Sequence, residues 1–437
     1  MKAVSLFSNC GAGDLGYKNA GFNFVVMAEI IPHRLNVALL NHPKATGVIG
    51  DIRNNWEDIV EKYTNKANAP LSLLAACPPC QGMSSSRNDR GLEDDPDAGS
   101  KDERNLLVVP IAKIAKELVP SLIVVENVPA FLTKKIWHPI NHTPISAAKF
   151  LIEELESNYD VYPLLTDLAD YGIPQSRKRA FLTFVNKSQY GLETLKREGR
   201  IPYPQVTHGK DGQQDHVTIG EALESFGLPS LDAGSEELAI CTTHGILHSV
   251  PVWNKRMYQM VQAIPTHNGG SAWDNNKCPN CGIINVGIDD AECPQCNEGL
   301  LRPIVKENGT YRLVKGYRST SYRRMKTNLP STTITTANGH IGSSTTIHPY
   351  QNRLMSPLEC ALLQTFPIDF NWGDTIEKFG HTNVRHMIGE AVPPQFTRLH
   401  GLVLADLLES QTNSRTLTTK DERYLKACDK LSITPFY

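Results

Sequence analysis

Residues 71–82, LSLLAACPPCQG, decide the fold of this chain together with residues 122–128, LIVVENV. Each stretch is a short apolar run, and the two runs end at Cys80 and at Glu126. Short apolar runs between helical patterns are typical of buried parallel strands. Ligands of open α/β sheets bind beyond the carboxyl ends of the strands. We therefore expect the thiol and the carboxyl group to lie at the same edge of one sheet.

Cys80 is a candidate nucleophile because of the residues before it. Pro78 and Pro79 fix two backbone angles and carry no N–H group, so the strand must end there. The cysteine then follows on a constrained turn at the edge of a pocket. A buried cysteine is usually a small apolar residue, and this is our interpretation of Cys77, which lies within the apolar run.

The composition is that of an ordinary globular protein. The chain has 437 residues, enough for two or three domains, with 40% hydrophobic and 21% charged residues. A net charge of −2 argues against a wholly basic nucleic-acid-binding surface but permits a local basic cleft. No apolar run approaches the length of a membrane span. The sequence has ten cysteines and no apolar signal region, so we expect reduced thiols rather than disulfides. We therefore predict a cytoplasmic enzyme without a membrane partner.

A cofactor site is predicted at the start of the chain. Residues 8–16, SNCGAGDLG, follow a predicted strand, Lys2–Phe7, and precede a helical pattern. Such a turn lets the backbone approach a ligand closely, although many α/β proteins have one. Glu29 directly follows a second predicted strand, where an acidic residue commonly binds ribose hydroxyls. A third strand is expected to end near residues 48–52.

These stretches resemble the DNA cytosine carbon-5 methyltransferases. The sequences PPCQ at 78–81 and ENV at 126–128 look like the catalytic core of that family. The glycine-rich turn is similar to the family motif FSxCGxxDLG, although Asn9 and Ala12 stand where many members have glycine. Further matches follow in the expected order along nearly the whole chain. They are QSRKR at 175–179, the stretch RLMSPLECALLQTFP at 353–367, and IGEAVPP at 388–394, in which Glu390 replaces the usual asparagine.

The resemblance implies an α/β fold, a Rossmann-like S-adenosylmethionine-dependent methyltransferase sheet. It also implies four catalytic residues. Cys80 attacks carbon 6 of a flipped-out cytosine, and Glu126 supplies or shares a proton at ring nitrogen 3. Arg179 holds the cytosine carbonyl oxygen, and Arg177 contacts a nearby phosphate or a lid over the site. Residues 83–105, rich in Ser, Gly, Asp and charge, are the predicted lid.

The resemblance further implies S-adenosyl-L-methionine as the cofactor. Phe7 would pack on the adenine, Glu29 would bind the ribose, and Asp51 would hold the adenine amino group. The remaining predicted cofactor-binding residues are Asn9, Gly11, Ile52, Pro78 and Glu390.

A second domain is predicted to interrupt the first. From about residue 186 to 350 the alternating strand and helix patterns give way to glycines, polar turns and short β-like segments. We therefore predict a catalytic domain in two parts, 1–185 and 351–437, and an inserted, mostly β or irregular target recognition domain, 186–350. Two Cys-Pro-x-Cys sequences within the insert predict a structural zinc site. Its ligands would be Cys278, Cys281, Cys293 and Cys296.

A basic and aromatic cluster follows the predicted zinc site. Residues 315–326, KGYRSTSYRRMK, include Arg318, Arg323, Arg324 and Lys326. Phosphate contact and a charged strand edge are equally good interpretations of this cluster.

The predicted function is methyl transfer from S-adenosylmethionine to carbon 5 of cytosine in a specific double-stranded DNA sequence. A cognate restriction endonuclease would be a genetic rather than a physical partner. Methylation of tRNA by the same chemistry is the first alternative. A non-catalytic DNA-binding protein and a dehydrogenase are alternatives of other classes, but neither accounts for the PPCQ sequence together with Glu126, Arg177 and Arg179.

Overall fold

The computed structural model describes residues 1–79, 103–139, 142–315, 318–409, 417–419 and 421–436. The chain forms two compact units. Unit 1 comprises residues 1–171, 178–214 and 391–437, and unit 2 comprises residues 172–177 and 215–390. The predicted recognition domain, 186–350, shares residues 215–350 with unit 2, and its role stays a prediction.

The strands and helices, numbered in chain order, have the following bounds. The strands are β1 Lys2–Leu6, β2 Asn23–Glu29, β3 Thr46–Ile49, β4 Leu73–Ala76, β5 Leu122–Asn127, β6 Lys135–Trp137, β7 Pro144–Ser146, β8 Tyr159–Asp167, β9 Lys178–Asn186, β10 Arg200–Pro204, β11 Ile240–Cys241, β12 Gly245–Ser249, β13 Ile304–Glu307, β14 Thr310–Leu313 and β15 Leu417–Thr419. The α-helices are α1 Ala12–Asn19, α2 Pro32–Asn41, α3 Ile52–Lys66, α4 Val108–Leu118, α5 Ala147–Leu155, α6 Tyr190–Arg197, α7 Ile219–Phe226, α8 Lys255–Gln262, α9 Pro357–Leu363, α10 Thr375–Glu390, α11 Pro394–Leu408 and α12 Glu422–Leu431.

Unit 1 is built on a seven-stranded sheet with the strand order β3-β2-β1-β4-β5-β9-β8. The first five strands in that order are parallel, and β9 runs antiparallel to both of its neighbours. This arrangement confirms the predicted α/β sheet. It also places the start of β9 beside the carboxyl end of β5, so residues from both strands can meet at that edge.

The core of unit 1 follows from the apolar runs in the sequence. Strand residues such as Leu74, Ile123 and Val125 are fully buried, and they belong to one cluster with Ile111 of α4 and Leu151 of α5. Burial on both faces explains why β4 and β5 are continuous apolar runs rather than alternating ones.

Two close approaches complete unit 1. A Cβ on Gly16 of α1 would lie 2.0 Å from Thr397 Oγ1, so only glycine lets α1 pack this tightly against α11. At the β8 edge of the sheet, Tyr424 of α12 stacks on Tyr162 with ring centroids 6.4 Å apart, and Phe436 lies 5.3 Å from the same ring. Helix α12 and Phe436 therefore cover an edge strand of the sheet.

Buried polar groups connect several loops of unit 2. Three apolar clusters of this unit are small. Arg324 is only 1% exposed, and its guanidinium donates to the carbonyls of Ile264, His348, Gln351 and Val261. These carbonyls come from distant parts of the sequence, so the one side chain joins several loops of the unit.

A buried ion pair fixes the start of α9. Ser356 and Glu359 form the capping box that the sequence predicts, and Arg353 donates to both carboxylate oxygens of Glu359 at 2.7 Å. Burial alone would raise the pKa of Glu359, but the adjacent guanidinium of Arg353 lowers it to about 2.

Among the described residues, no helix has the length and apolar character needed to cross a bilayer.

Candidate functional site

Three side chains of unit 1 meet at the carboxyl end of β5. Glu126 is 5% exposed, and its Oε1 lies 2.7 Å from Nε of Arg179 on β9. Its other oxygen, Oε2, accepts a hydrogen bond of 2.8 Å from the thiol of Cys77, the first residue after β4. The structure thus brings two of the predicted catalytic residues, Glu126 and Arg179, into direct contact. It adds Cys77, for which the sequence predicted only a small buried residue.

The next residue of β5 fixes the chain that leads to the predicted nucleophile. The side-chain amide of Asn127 donates to the carbonyl of Pro78 at 2.9 Å, and its Oδ1 accepts from the backbone N–H of Val128. Asn127 is 2% exposed, so both bonds are shielded from water. Cys80 itself lies outside the described residues. So do residues 83–102 of the predicted lid, which was expected at residues 83–105.

Arg177 lies in unit 2, and its surroundings correct one expectation. It is 1% exposed and donates to the carbonyls of Ile334 at 3.1 Å and of Gly389 at 3.0 Å. A guanidinium buried in this way is not presented to a DNA phosphate. Its observed contacts instead join two backbone segments of unit 2.

The glycine-rich turn has three residues in the left-handed region of backbone conformation. Phe7, Asn9 and Gly11 all have positive φ angles, 58°, 48° and 74°. The backbone N–H of Asn9 donates to Glu29 Oε2 at 2.9 Å, and the N–H of Ile31 donates to Oε1 at 3.0 Å. The predicted ribose-binding acid therefore also closes the turn onto the end of β2.

Two of the predicted cofactor-binding residues, Asp51 and Ile52, follow shortly after β3. Asp51 is the N-cap of α3 and accepts from the backbone N–H of Arg53 at 2.9 Å. Its hydrogen bonds with the guanidinium of Arg53 lower the pKa of Asp51. Ile52 follows and is buried.

Glu390, another predicted cofactor-binding residue, belongs to unit 2, where it is the last residue of α10 and is half-buried.

Two buried polar groups beneath the turn were missed from the sequence. Asp14 accepts a hydrogen bond of 2.9 Å from Ser5 Oγ, and burial raises the pKa of Asp14 to about 7. His42 Nε2 lies 2.9 Å from the carbonyl of Gly11, and burial lowers the pKa of His42 to about 4. The neutral imidazole therefore donates to the turn. The only sequence signal for these two was the position of Asp14 within the glycine-rich motif.

The four predicted zinc ligands form a single cluster in unit 2. The sulfur atoms of Cys278, Cys281, Cys293 and Cys296 all lie within 4.8 Å of one another. Two of the sulfur pairs, Cys278 with Cys296 and Cys281 with Cys293, are 3.6 Å apart. Tetrahedral zinc with Zn–S bonds of about 2.3 Å would separate its sulfurs by about 3.8 Å. The donor set and its spacing therefore fit zinc.

The two cysteine turns have the same backbone pattern. In the first, Cys278 donates its N–H to Ile283 and accepts from the N–H of Gly282, which has a φ of 77°. In the second, Cys293 donates to Glu298 and accepts from Asn297, which has a φ of 57°. A left-handed residue after each Cys-Pro-x-Cys sequence thus turns two thiols toward the same point.

The lobe around these turns has a very small core. Its buried cluster consists of Cys278, Val286, Cys293 and Leu300, and two of these four are predicted zinc ligands. Arg302 is 2% exposed and donates to backbone carbonyls of the same lobe, including those of Asn275 and Asp290. The apolar core of this lobe is therefore small, and the hydrogen bonds from Arg302 tether its backbone in addition.

Most of the described basic side chains of the basic and aromatic cluster are buried or already have partners within the protein. Arg324 is buried and bound to carbonyls, so the expectation that it contacts phosphate is wrong. Arg318 pairs with Asp289 at 2.9 Å and lies over the ring of Trp273. Arg323 is partly buried and donates to the carbonyl of Gly269. Lys326 is exposed. Residues 316 and 317, within the same cluster, lie outside the described residues.

Comparison with solved structures supports a methyltransferase fold. A putative DNA modification methyltransferase encoded within a prophage, from E. coli, superimposes with a TM-score of 0.53 at 21% identity, covering 94% of this chain and 99% of that one. The Entamoeba histolytica methyltransferase EhMeth superimposes with a TM-score of 0.52 at 14% identity, with the same coverage of 94% and 99%.

Sequence comparison identifies the family. The model of the C-5 cytosine-specific DNA methylases matches residues 1–400. The type II methyltransferase M1.HgaI of Avibacterium volantium is 30% identical over 407 residues, which cover 90% of this chain and 95% of the relative. The type II methyltransferase M1.HphI of Haemophilus parahaemolyticus is 27% identical over 395 residues, covering 90% and 83%. This chain therefore belongs to the C-5 cytosine-specific DNA methylases.

Proposed function

We propose that this protein transfers a methyl group from S-adenosyl-L-methionine to carbon 5 of a flipped-out cytosine in a specific duplex DNA sequence. The observation that carries the proposal is the contact between Glu126 and Arg179 at the carboxyl end of β5. The chain that leads to Cys80 is anchored beside this pair by Asn127. A nucleophile, an acid and a cation are the groups that this reaction requires.

The proposed reaction begins with Cys80. Carbon 5 of cytosine is a poor nucleophile, and addition of the Cys80 thiolate to carbon 6 makes it enamine-like. Negative charge then develops on the ring, and a proton from Glu126 at nitrogen 3 neutralises it. Arg179 holds the carbonyl oxygen. After methyl transfer, the proton at nitrogen 3 returns to Glu126 and carbon 5 loses its proton to water or another base, while the bond between Cys80 and carbon 6 breaks, which releases the thiolate and restores the aromatic ring.

The cofactor site is proposed at the ends of β1, β2 and β3. S-adenosyl-L-methionine would supply a methyl group on a sulfonium. Phe7, Asn9 and Gly11 have positive φ angles, and the N–H of Asn9 donates to Glu29 Oε2. The neutral imidazole of His42 donates a hydrogen bond to the carbonyl of Gly11. The residues of unit 1 thus offer a preorganised turn and an acid suited to a ribose.

Unit 2 is proposed to select the DNA sequence. Its cysteine cluster would hold one structural zinc ion, because the four sulfurs have the spacing of a tetrahedral site. The type II names of the relatives support a pairing with a restriction endonuclease, in which methylation would protect the host DNA.

Methylation of a mixed-sequence duplex library, followed by base-resolution mapping of modified cytosines, tests the proposal. We expect 5-methylcytosine at one recurring sequence. A parallel reaction with tRNA separates the DNA and RNA alternatives. Unmodified DNA, with methyl transfer only to tRNA, would rule out the proposed substrate.

A further inference from the structure

Cys77 faces the same carboxyl group as Arg179. It follows β4 directly, and the pairing of Ala76 with Val125 brings it opposite Glu126. Its Sγ lies 2.8 Å from Glu126 Oε2. Its backbone N–H is already engaged with the carbonyl of Leu6 at 3.4 Å. The side chain, rather than the backbone of Cys77, therefore contacts the acid.

The two oxygens of Glu126 have different surroundings. Oε2 accepts from the thiol of Cys77, whereas Oε1 lies 2.7 Å from Arg179 Nε as an ion pair. Among the described residues, Oε1 has no hydrogen-bond partner of good geometry, although the atom is fully shielded from water. Buried carboxylate oxygens normally have such a partner. The arrangement leaves one oxygen with unused hydrogen-bonding capacity beside the guanidinium.

We propose that Cys77 is a positioning residue for the methyl-transfer reaction. Its thiol holds Glu126 Oε2 and thereby directs Oε1 toward the nitrogen 3 edge of the bound cytosine. This inference rests on the proposed role of Glu126, and it adds that the turn between β4 and Cys80 orients the acid as well as carrying the nucleophile.

The chemistry of the turn explains why a side chain must supply this hydrogen bond. Pro78 and Pro79 have no N–H group, so the backbone at these two positions cannot donate to the carboxyl group. A second cation in place of the thiol would favour the charged form of the acid, which opposes delivery of a proton. A thiol is a neutral, single donor. It can fix one oxygen without adding charge to the site.

Two matched pairs of variants test the proposal. Cys77→Ser and Cys77→Ala differ by one hydroxyl donor, and Cys77→Thr and Cys77→Val differ in the same way at nearly equal volume. We expect the donor-free member of each pair to lose about tenfold in the single-turnover rate, the effect of one ordinary hydrogen bond. The serine and threonine variants should retain most of the rate, with KM for DNA and cofactor affinity unchanged in all variants that fold.

Comparison proteins separate the possible failures. Cys428→Ala removes a buried thiol of α12 in the same unit and should keep the wild-type rate. Suppose that the wild type methylates DNA and Glu126→Gln loses turnover as expected, while the two members of each Cys77 pair have equal rates. That result would overturn the role of Cys77 alone. Wild-type protein without methyl transfer would instead overturn the proposed function. A covalent adduct of 5-fluorocytosine DNA on Cys77 would make this residue the nucleophile and would also contradict the proposal.

Discussion

Arg179 Nε lies 2.7 Å from Glu126 Oε1, across the antiparallel pairing of β9 with β5. The two side chains come from segments more than fifty residues apart in the sequence. Their pairing places a cation and an acid side by side before any base is bound. A cytosine presents its carbonyl oxygen and nitrogen 3 on adjacent ring positions. We propose that the pair contacts these two atoms together, Arg179 the carbonyl oxygen and Glu126 the nitrogen.

Replacement of the acid tests this layout. Glu126→Gln retains a hydrogen-bond donor but cannot deliver a proton, so we expect turnover to fall by at least about 10²-fold, the low end for general acid catalysis. Cofactor affinity should change little, because the predicted cofactor residues of unit 1 lie at other strand ends. Single-turnover kinetics with a methylatable duplex measure the effect. An unchanged rate would remove Glu126 from the chemistry.

The buried carboxyl group of Asp14 predicts a pH dependence of stability. Burial raises the pKa of Asp14 to about 7, so the folded protein holds this proton more tightly than the unfolded chain does. Stability from this group is therefore present at acidic pH and is lost as the pH rises through about 7. The loss at pH 8 is at most on the order of 4 kcal/mol.

Asp14→Asn tests this sign. The asparagine keeps an oxygen for Ser5 Oγ but cannot ionise. We expect the variant to gain stability relative to wild type at pH 8 and to show a smaller gain or a loss at pH 5. Chemical denaturation at both pH values measures the difference. The same difference at both would contradict a shifted titration at this position.

The zinc prediction concerns the small lobe of unit 2. Cys281→Ser should release about one metal ion per chain and disorder the lobe, whose buried cluster otherwise contains only Val286 and Leu300. Cofactor binding should survive, and DNA binding should fall toward the salt-sensitive, non-specific level. Metal analysis and DNA titrations at two salt concentrations measure these effects.

A matched variant controls for the loss of a cysteine. Cys241→Ser changes a buried cysteine of β11 outside the cluster and should keep the metal. A zinc-free wild-type protein that is fully active would contradict the structural site. A Cys281→Ser variant that loses zinc but methylates the same sequence at the same rate would assign the lobe another role.

Apolar runs and capping residues predicted much of the fold. Strand β5 was expected at residues 122–128 and spans Leu122–Asn127. The residues Ser356 and Glu359 have the spacing of a capping box and form one. These features depend on neighbouring residues, so they can be recognised locally. Helix α12 was not predicted, because its packing on β8 involves residues more than 250 positions away.

The parts of the site that were missed depend on distant partners. Arg324 belongs to a basic run, but its burial comes from carbonyls supplied by residues 261–264 and 348–351. Arg177 is similarly engaged by Ile334 and Gly389. The thiol of Cys77 reaches Glu126 because β4 pairs with β5. In each case the residue type was visible in the sequence, while the partner that gives it a function was not.

Mapping of the covalent adduct tests the central claim most directly. Duplex DNA that carries 5-fluorocytosine at the methylated position should trap the enzyme, because the fluorine at carbon 5 cannot leave as a proton does. Mass spectrometry of the digested complex should place the adduct on Cys80, and Cys80→Ser should form none while still binding the cofactor. An adduct on another cysteine, or methyl transfer by the serine variant, would contradict the account.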